Sequence, residues 1–357
     1  MWYLRALFTK PYKTKIEFFK KSVYLLGKNK SDMKHSLYHD YAGALLEVQQ
    51  LDLALKNINI ALETESKCAG AWNVKGKILL KLGNITEALG CIETGLNLNK
   101  KNAWLWISKG EALAALGNGH VEEAIACFDT GIELSPNNSL GYITKALRLL
   151  DFDKNDEALK TIDDGIKMDK KDTCMYYYKA CILYEMKKPK EAIEALNKVF
   201  AIEGDLSGCP YGAKLLLEIY GVFGYTKELS QHAKDFRAND RLWNMIDNCT
   251  KAEVDNLIAW HFFKHGLDLE EALKIVTEAI TLEPKEAMYH DTLGCVLQAK
   301  QQDSEALKAF EKAIKLKKSD RDITWDTLAA VYARLGRENE AKEALAKFTS
   351  LKELGKN

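Results

Sequence analysis

Residues 325–332 read Trp325-Asp326-Thr327-Leu328-Ala329-Ala330-Val331-Tyr332, and twelve positions after Ala329 stands Ala341. Trp325, Leu328, Ala329 and Tyr332 fall at the spacing of one helical face. Working back from Ala341, an alanine returns at Ala306 and Ala272, and earlier at Ala192, Ala158, Ala124, Ala88 and Ala54. From the N-terminal end the steps are 34, 36, 34 and 34, then 34 and 35 residues. A fixed period of this length marks a solenoid, in which each unit buries its apolar face only against its neighbours. Seven residues after these anchors come Ala61, Gly95, Gly131, Gly165, Val199, Ala279, Ala313 and Phe348. Twelve before them come Ala42, Gly76, Ala146, Ala180, Gly294 and Ala329. A stripe of small residues two turns apart lets helices cross closely, while Ile92, Phe128, Ile162, Leu196 and Phe310 fill the gap. Each unit therefore reads as a helical hairpin. Its first helix carries an aromatic before the small residue and a Leu or Tyr after it, as in Trp72, Gly76, Leu79 and Tyr176, Ala180, Leu183.

On these residues the chain resembles the tetratricopeptide repeat (TPR) family. Trp325, Leu328, Ala329 and Tyr332 fit its W-x2-L-[GA]-x2-Y signature, and Pro136 and Pro284 fall at its closing proline, twelve residues after an anchor alanine. The resemblance implies an all-α, right-handed α-solenoid of about eight to nine helical hairpins. Repeats are expected at 35–68, 69–102, 103–138, 139–172, 173–206, 253–286, 287–320 and 322–355. Asp153, Lys187 and Gln301 stand at the turn place of Gly83 and Gly117, where a left-handed backbone would strain them.

Two stretches break the rhythm. Residues 207–252 keep only a worn hairpin at Tyr220, Gly224, Leu229, Ala233 and Phe236, followed by an unregistered run from Arg237 to Lys251. That leaves a five-repeat block over 35–206 and a three-repeat block over 253–357, with a degenerate joint between. Residues 1–34 hold nine Lys or Arg against Glu17 and Asp32, together with seven aromatics. Pro11 suits a helix start, after which Ile16, Phe19, Val23 and Leu26 share one face. This basic amphipathic segment is expected to cap the first repeat. Docking to a protein or acidic partner is the other use of such a helix.

Charge and cysteine usage narrow the function classes. Lys plus Arg equal Asp plus Glu at 51 each, so no bulk field points to nucleic acid. The eight cysteines form no CxxC pair, and Cys91 and Cys127 share one repeat place as small buried apolar residues would, which argues for a reducing, cytoplasmic setting. No apolar run approaches a membrane span, and Arg5 and Lys10 interrupt a signal-peptide core. His261 and His265 stand four apart, as metal ligands on one helix face would, but lack the glutamate of a zinc-protease motif and an evident third ligand. His35 and His39 repeat that spacing beside Asp40, and packing is the expected role of both pairs. No phosphate loop, nucleophile elbow or Cys–His arrangement is present, so neither enzymatic activity nor a cofactor or metal is expected.

What remains is the inner surface. In the TPR family the first helix of each hairpin lines a groove, and register places Asn73 and Lys77 there, followed by Trp104, Ile107, Ser108 and Glu111. Next come Leu140, Ile143, Thr144 and Leu147, then Cys174, Tyr177, Tyr178, Cys181 and Tyr184. Apart from Asn73 and Lys77, this is not the Lys, Asn and Arg set of the family's carboxylate clamp. An apolar stripe suits an amphipathic helix or extended apolar peptide, unless a tight superhelix turns these side chains onto adjoining repeats. Asp291, Thr292, Asp326 and Arg334 give the three-repeat block a more polar inner face, fit for a second partner. The sequence thus reads as a non-catalytic interaction scaffold, adaptor or assembly factor with a protein partner. Self-association through the basic N-terminus is the alternative, and a peripheral membrane role ranks third.

Overall fold

The computed structural model describes residues 12–26, 34–206, 209–239, 251–319 and 323–354, with the side chains of 12–14, 26 and 118 excepted. Arg5, Lys10 and Pro11 of the N-terminal segment and Cys249 of the joint lie outside the described residues. Every regular element among them is helical. A first helix, α1 (Tyr12–Leu26), is followed by the hairpins α2 (Lys34–Glu47) and α3 (Leu51–Thr64), and α4 (Ala69–Lys81) and α5 (Ile85–Leu98). Next come α6 (Ala103–Ala115) and α7 (Val121–Leu134), α8 (Ser139–Asp151) and α9 (Asn155–Met168), and α10 (Thr173–Glu185) and α11 (Pro189–Glu203). The worn hairpin is α12 (Pro210–Phe223) and α13 (Thr226–Arg237). The last three are α14 (Lys251–Lys264) and α15 (Leu269–Leu282), α16 (Ala287–Ala299) and α17 (Asp303–Leu316), and α18 (Trp325–Arg334) and α19 (Glu338–Leu354). Contacts divide the chain into two compact units, Met1–Ala195 and Leu196–Asn357, and the boundary falls inside α11.

The small residues sit where helices cross. Ala54, Ala88, Ala124, Ala158, Ala192, Ala272 and Ala306 are all fully buried. A Cβ added to Gly76, Gly110 or Gly294 on a first helix would lie 2.6, 2.6 or 2.8 Å from Ile92, Phe128 or Phe310 on the second helix of the same hairpin. Glycines on the second helices are packed as closely. A Cβ on Gly95 or Gly165 would meet Leu105 or Met175 of the next hairpin's first helix at 2.7 or 2.5 Å, and one on Gly131 would meet Ile107 of its own hairpin at 2.8 Å. Seams within and between hairpins are therefore set at glycine distance, and interiors of this density leave no room for a methyl group.

The turns within hairpins share one backbone solution, except α6–α7, which closes through a short 3-10 turn at Asn118–His120. The third residue past the helix donates its N–H to a carbonyl five positions back, as in Asn84 to Leu79, Lys154 to Leu149, Lys188 to Leu183 and Gln302 to Leu297, each 2.9 Å. This closure requires a left-handed residue just before the donor. Gly83 supplies it at φ 82°, whereas Gln49, Asp153, Lys187 and Gln301 adopt φ 61°, 58°, 56° and 61°. Three turns between hairpins add a side-chain bond to their backbone closures. Trp72 and Trp106 donate from Nε1 to the carbonyls of Ser66 and Lys100, six residues back, at 2.8 Å. His290 holds the same place and bonds the Pro284 carbonyl at 3.0 Å.

The irregular stretches are tied down by specific contacts. Ile16 and Phe19 of α1 are buried in a cluster with Leu37, Tyr41 and Leu45, and the Phe19 and Tyr41 rings lie 5.7 Å apart. At the joint, Arg237 at the end of α13 donates to Asp255 on α14 (2.9 Å) and to Glu271 and Glu278 on α15 (3.1 and 2.6 Å). Asp255 is fully buried, and that burial raises its carboxyl above the usual range while Arg237 pulls it down. The worn hairpin is thus docked by a charge fork that its residue spacing does not announce.

Two substitutions test these seams. Gly294→Ala should lower stability by about 1–3 kcal/mol in urea unfolding, because the Phe310 ring must leave its rotamer. Gln301→Gly should raise it by up to about 1 kcal/mol by relieving the positive φ.

Candidate functional site

The inner residues anticipated in the first unit separate into two groups. Trp104 and Leu140 hold the same place on α6 and α8, and they remain 45 % and 37 % exposed. Cys174 follows at that place on α10 and is also exposed. Ile107 and Ile143 lie inside the packing instead, at 3 % and 5 % exposure. For Ile107 the cause is the glycine seam, since its side chain fills the space over Gly131. Ser108 and Thr144 are buried as well. An inner stripe through both isoleucines is therefore interrupted, because the close crossing of helices draws that place into the interior.

The remaining positions are intermediate. Leu147 and Tyr178 are half-buried against the cluster of Tyr142, Ile143 and Leu149, and burial raises the Tyr178 hydroxyl above its ordinary value. Tyr177 and Tyr178 meet edge to face at 5.3 Å. Cys181, Tyr184, Lys77 and Glu111 are half-buried, and Asn73 is buried with an unpartnered Oδ1.

The second unit holds a concavity of about 730 Å³ lined mainly by its own first helices. Lys214 and Glu218 of α12 reach it one turn apart, as do Asn256, Leu257 and Trp260 of α14 and Met288 and Thr292 of α16. Asp291 lies at its edge, with Oδ1 accepting the Thr324 N–H at 2.8 Å and Oδ2 accepting the Thr324 hydroxyl at 2.5 Å. That carboxylate holds the start of the next hairpin. Arg334, anticipated on the same inner face, forms a two-pronged pair with Asp303 at 2.5 and 2.7 Å.

Lys214, Glu218, Asn256 and Trp260 are not announced by the alanine period. The turn before α15 carries one extra residue, so the buried small residue of α14 is Ala259, thirteen rather than twelve positions before Ala272. Allowing that single step would have placed Asn256 and Trp260 on the inner face.

Both histidine pairs are engaged in packing. His261 is buried over Gly221, where an added Cβ would sit 2.3 Å from its ring, and it stacks on His265 at 6.3 Å. His265 donates from Nε2 to the Gly221 carbonyl at 2.5 Å. His35 bonds the Ala61 carbonyl and His39 bonds Asp40, each at 3.0 Å. Among the described residues no group of three or more His, Cys, Asp or Glu is placed to hold a metal, and no helix is long and apolar enough to cross a membrane.

Family models described as tetratricopeptide repeat match residues 42–92, 105–138, 175–205, 289–320 and 324–353. Between the matches, α8 with α9 and α14 with α15 keep the buried pairs Ala146 and Ala158, and Ala259 and Ala272. Solved structures similar to the chain include TTC0263, a TPR protein of Thermus thermophilus, at 19 % identity and TM-score 0.45, covering 51 % of this chain and 99 % of that one. A tetratricopeptide repeat protein from Parabacteroides merdae aligns at 13 % identity and TM-score 0.47, over 74 % of this chain and 99 % of its own. The APC/C hetero-tetramer Cut9–Hcn1 aligns at 12 % identity and TM-score 0.49, over 90 % of this chain and 52 % of its own. No curated protein matches the chain.

The buried histidine gives a pH prediction. Burial, reinforced by His265 and Lys264, lowers His261 to about 4. Above pH ~6.5 both folded and unfolded chains carry it neutral. As pH falls from about 6.5 towards 4 only the unfolded chain takes the proton, so about 3 kcal/mol of stability is lost across that window. Urea unfolding at pH 7 and pH 4.5 should show the loss, and His261→Leu should reduce it.

Proposed function

We propose that this chain, which belongs to the tetratricopeptide repeat family, is a non-catalytic scaffold or assembly factor that holds an apolar or amphipathic protein segment on the first helices of its N-terminal unit. One observation carries the reading: large apolar side chains, Trp104 and Leu140, stand exposed at the same place of successive hairpins. A tryptophan is the kind of anchor on which interface energy concentrates, and the leucine adds apolar area to the same face. Tyr177 and Tyr184, half-buried on α10, extend the surface with apolar rings and polar tips. The helices that present these residues are already packed, so little ordering entropy opposes binding on this side. Cys91, Cys127 and Cys295 are buried free thiols, which suits a reducing, cytoplasmic location.

A second reading has its own observation. On α1, Tyr24 and Leu25 are 85 % and 64 % exposed beside Lys20 and Lys21, so this helix offers a basic, apolar surface for another copy of the chain.

Changing Trp104 and Leu140 together to Ser separates these readings from simple packing. The variant should melt within a few degrees of the parent, as exposed substitutions do. In affinity capture from the native host, quantified by mass spectrometry, it should lose a stoichiometric partner that the parent retains. A melting loss of core size would overturn the apolar surface. A parent that brings down no partner but whose mass in light scattering rises with concentration would favour self-association.

A further inference from the structure

The groove of the second unit differs in chemistry from the apolar surface of the first. Five carboxylates and two lysines line it, a balance opposite in sign to a clamp for acidic tails. Most of these charges have local duties. Lys318 pairs with Glu286 at 3.7 Å, Glu283 accepts from the Tyr289 hydroxyl at 3.3 Å, and Asp291 holds Thr324. Glu218 is different. It is half-buried on α12, where burial raises its carboxyl above the ordinary range and Lys214, one turn earlier, draws it back in part.

A second, independent feature lies on α14. Asn256 lines the same groove, is 7 % exposed, and its Oδ1 has no hydrogen-bond partner. A buried carbonyl oxygen left unpaired is costly, and the loss is recovered when a donor arrives. Glu218 and Asn256 thus ask for one thing, an N–H donor that carries positive charge. The walls fit the rest of such a group. Leu257 and Met288, the latter 53 % exposed, offer apolar surface for a methylene stem. Trp260 adds an indole, the aromatic ring that cations favour most.

We propose that the groove on α12, α14 and α16 receives a lysine- or arginine-bearing protein segment, whose cationic head pairs with Glu218 and, as the Asn256 amide turns towards the groove, donates to its Oδ1, while its stem lies on Leu257 and Met288. The volume, about 730 Å³, falls in the range of sites that enclose several groups of a ligand. This site uses only residues of the second unit, so its failure would leave the apolar surface around Trp104 and Leu140 standing.

Fluorescence anisotropy on the full chain tests it with a labelled octapeptide that alternates glycine and arginine. Its counterpart carries citrulline, which keeps the shape of arginine without the charge. The arginine peptide should bind, and the citrulline peptide should bind about tenfold or more weakly. Glu218→Gln and Asn256→Leu should each weaken the arginine peptide by about tenfold, the value of one hydrogen bond to a charged group. Glu343→Gln, on the exposed surface of α19, should leave it unchanged. Glu218→Gln also removes a half-buried charge, so its melting temperature should hold or rise, which keeps the binding result separate from folding. Equal binding of the two peptides, no binding of the arginine peptide, parent-like binding by Glu218→Gln, or preference for an alternating glycine–glutamate peptide would each overturn the proposal.

Discussion

Everything in this molecule depends on the close crossing of helices at residues without bulk. At Gly76, Gly110 and Gly294 the opposing side chain already fills the space of a Cβ, and at the anchor alanines other than Ala341, which is half-buried, a single methyl group is completely enclosed. Dispersion at such short range is strong only while the surfaces match, so each crossing fixes the separation and roll of two helices together. Because the second helix repeats the arrangement towards the next hairpin, through Gly95 and Gly165, one rule of packing generates each run of hairpins. The rule also decides which side chains remain available. Ile107 is apolar and on the first helix, yet it serves the seam over Gly131 rather than a partner.

Polar contacts adjust this frame. Lys109 with Glu93, Lys145 with Asp129 and Lys179 with Asp163 form a ladder, each pair sixteen residues apart and bridging successive hairpins at 3.1, 2.5 and 2.7 Å. Their carboxylates are 39–55 % exposed, and pairs so open to water contribute roughly 0–1 kcal/mol each. Arg237 is of another kind. Its guanidinium meets a fully buried Asp255 and two glutamates, and losing the cation would leave a charge stranded in the interior. At the joint, where the alanine period lapses, ionic geometry is therefore added to small-residue packing, which persists where His261 sits over Gly221. The indoles of Trp72 and Trp106 and the imidazole of His290 act between these extremes. Each satisfies a loop carbonyl while its ring packs, which explains why a histidine can stand at an aromatic place.

One fold thus carries two surfaces. The first unit presents Trp104 and Leu140, and the second a concavity bordered by Glu218, Asn256 and Trp260. The crossings constrain the inner positions only where a side chain enters a seam, and the others are free to differ in charge and size.

The sequence by itself determined the helical repeat, its period and most of its seams, because small residues at fixed spacing are a constraint of packing and every copy must meet it. Ala88 and Gly76 could be assigned to a crossing without coordinates, and the positive φ at Asp153, Lys187 and Gln301 followed from their alignment with Gly83. Only the tertiary structure decided which inner residues face solvent. Trp104 and Ile107 are both apolar and three residues apart on one helix, and their fates differ because a glycine on the second helix of the hairpin accepts one of them. It also placed Asn256 and Glu218 in one groove, since an extra turn residue shifted the register of α14 and a contact between separate hairpins leaves no local pattern. Arg237 belongs to the same class. Its partners lie 18, 34 and 41 positions away, and such pairings are set by where helices dock rather than by period.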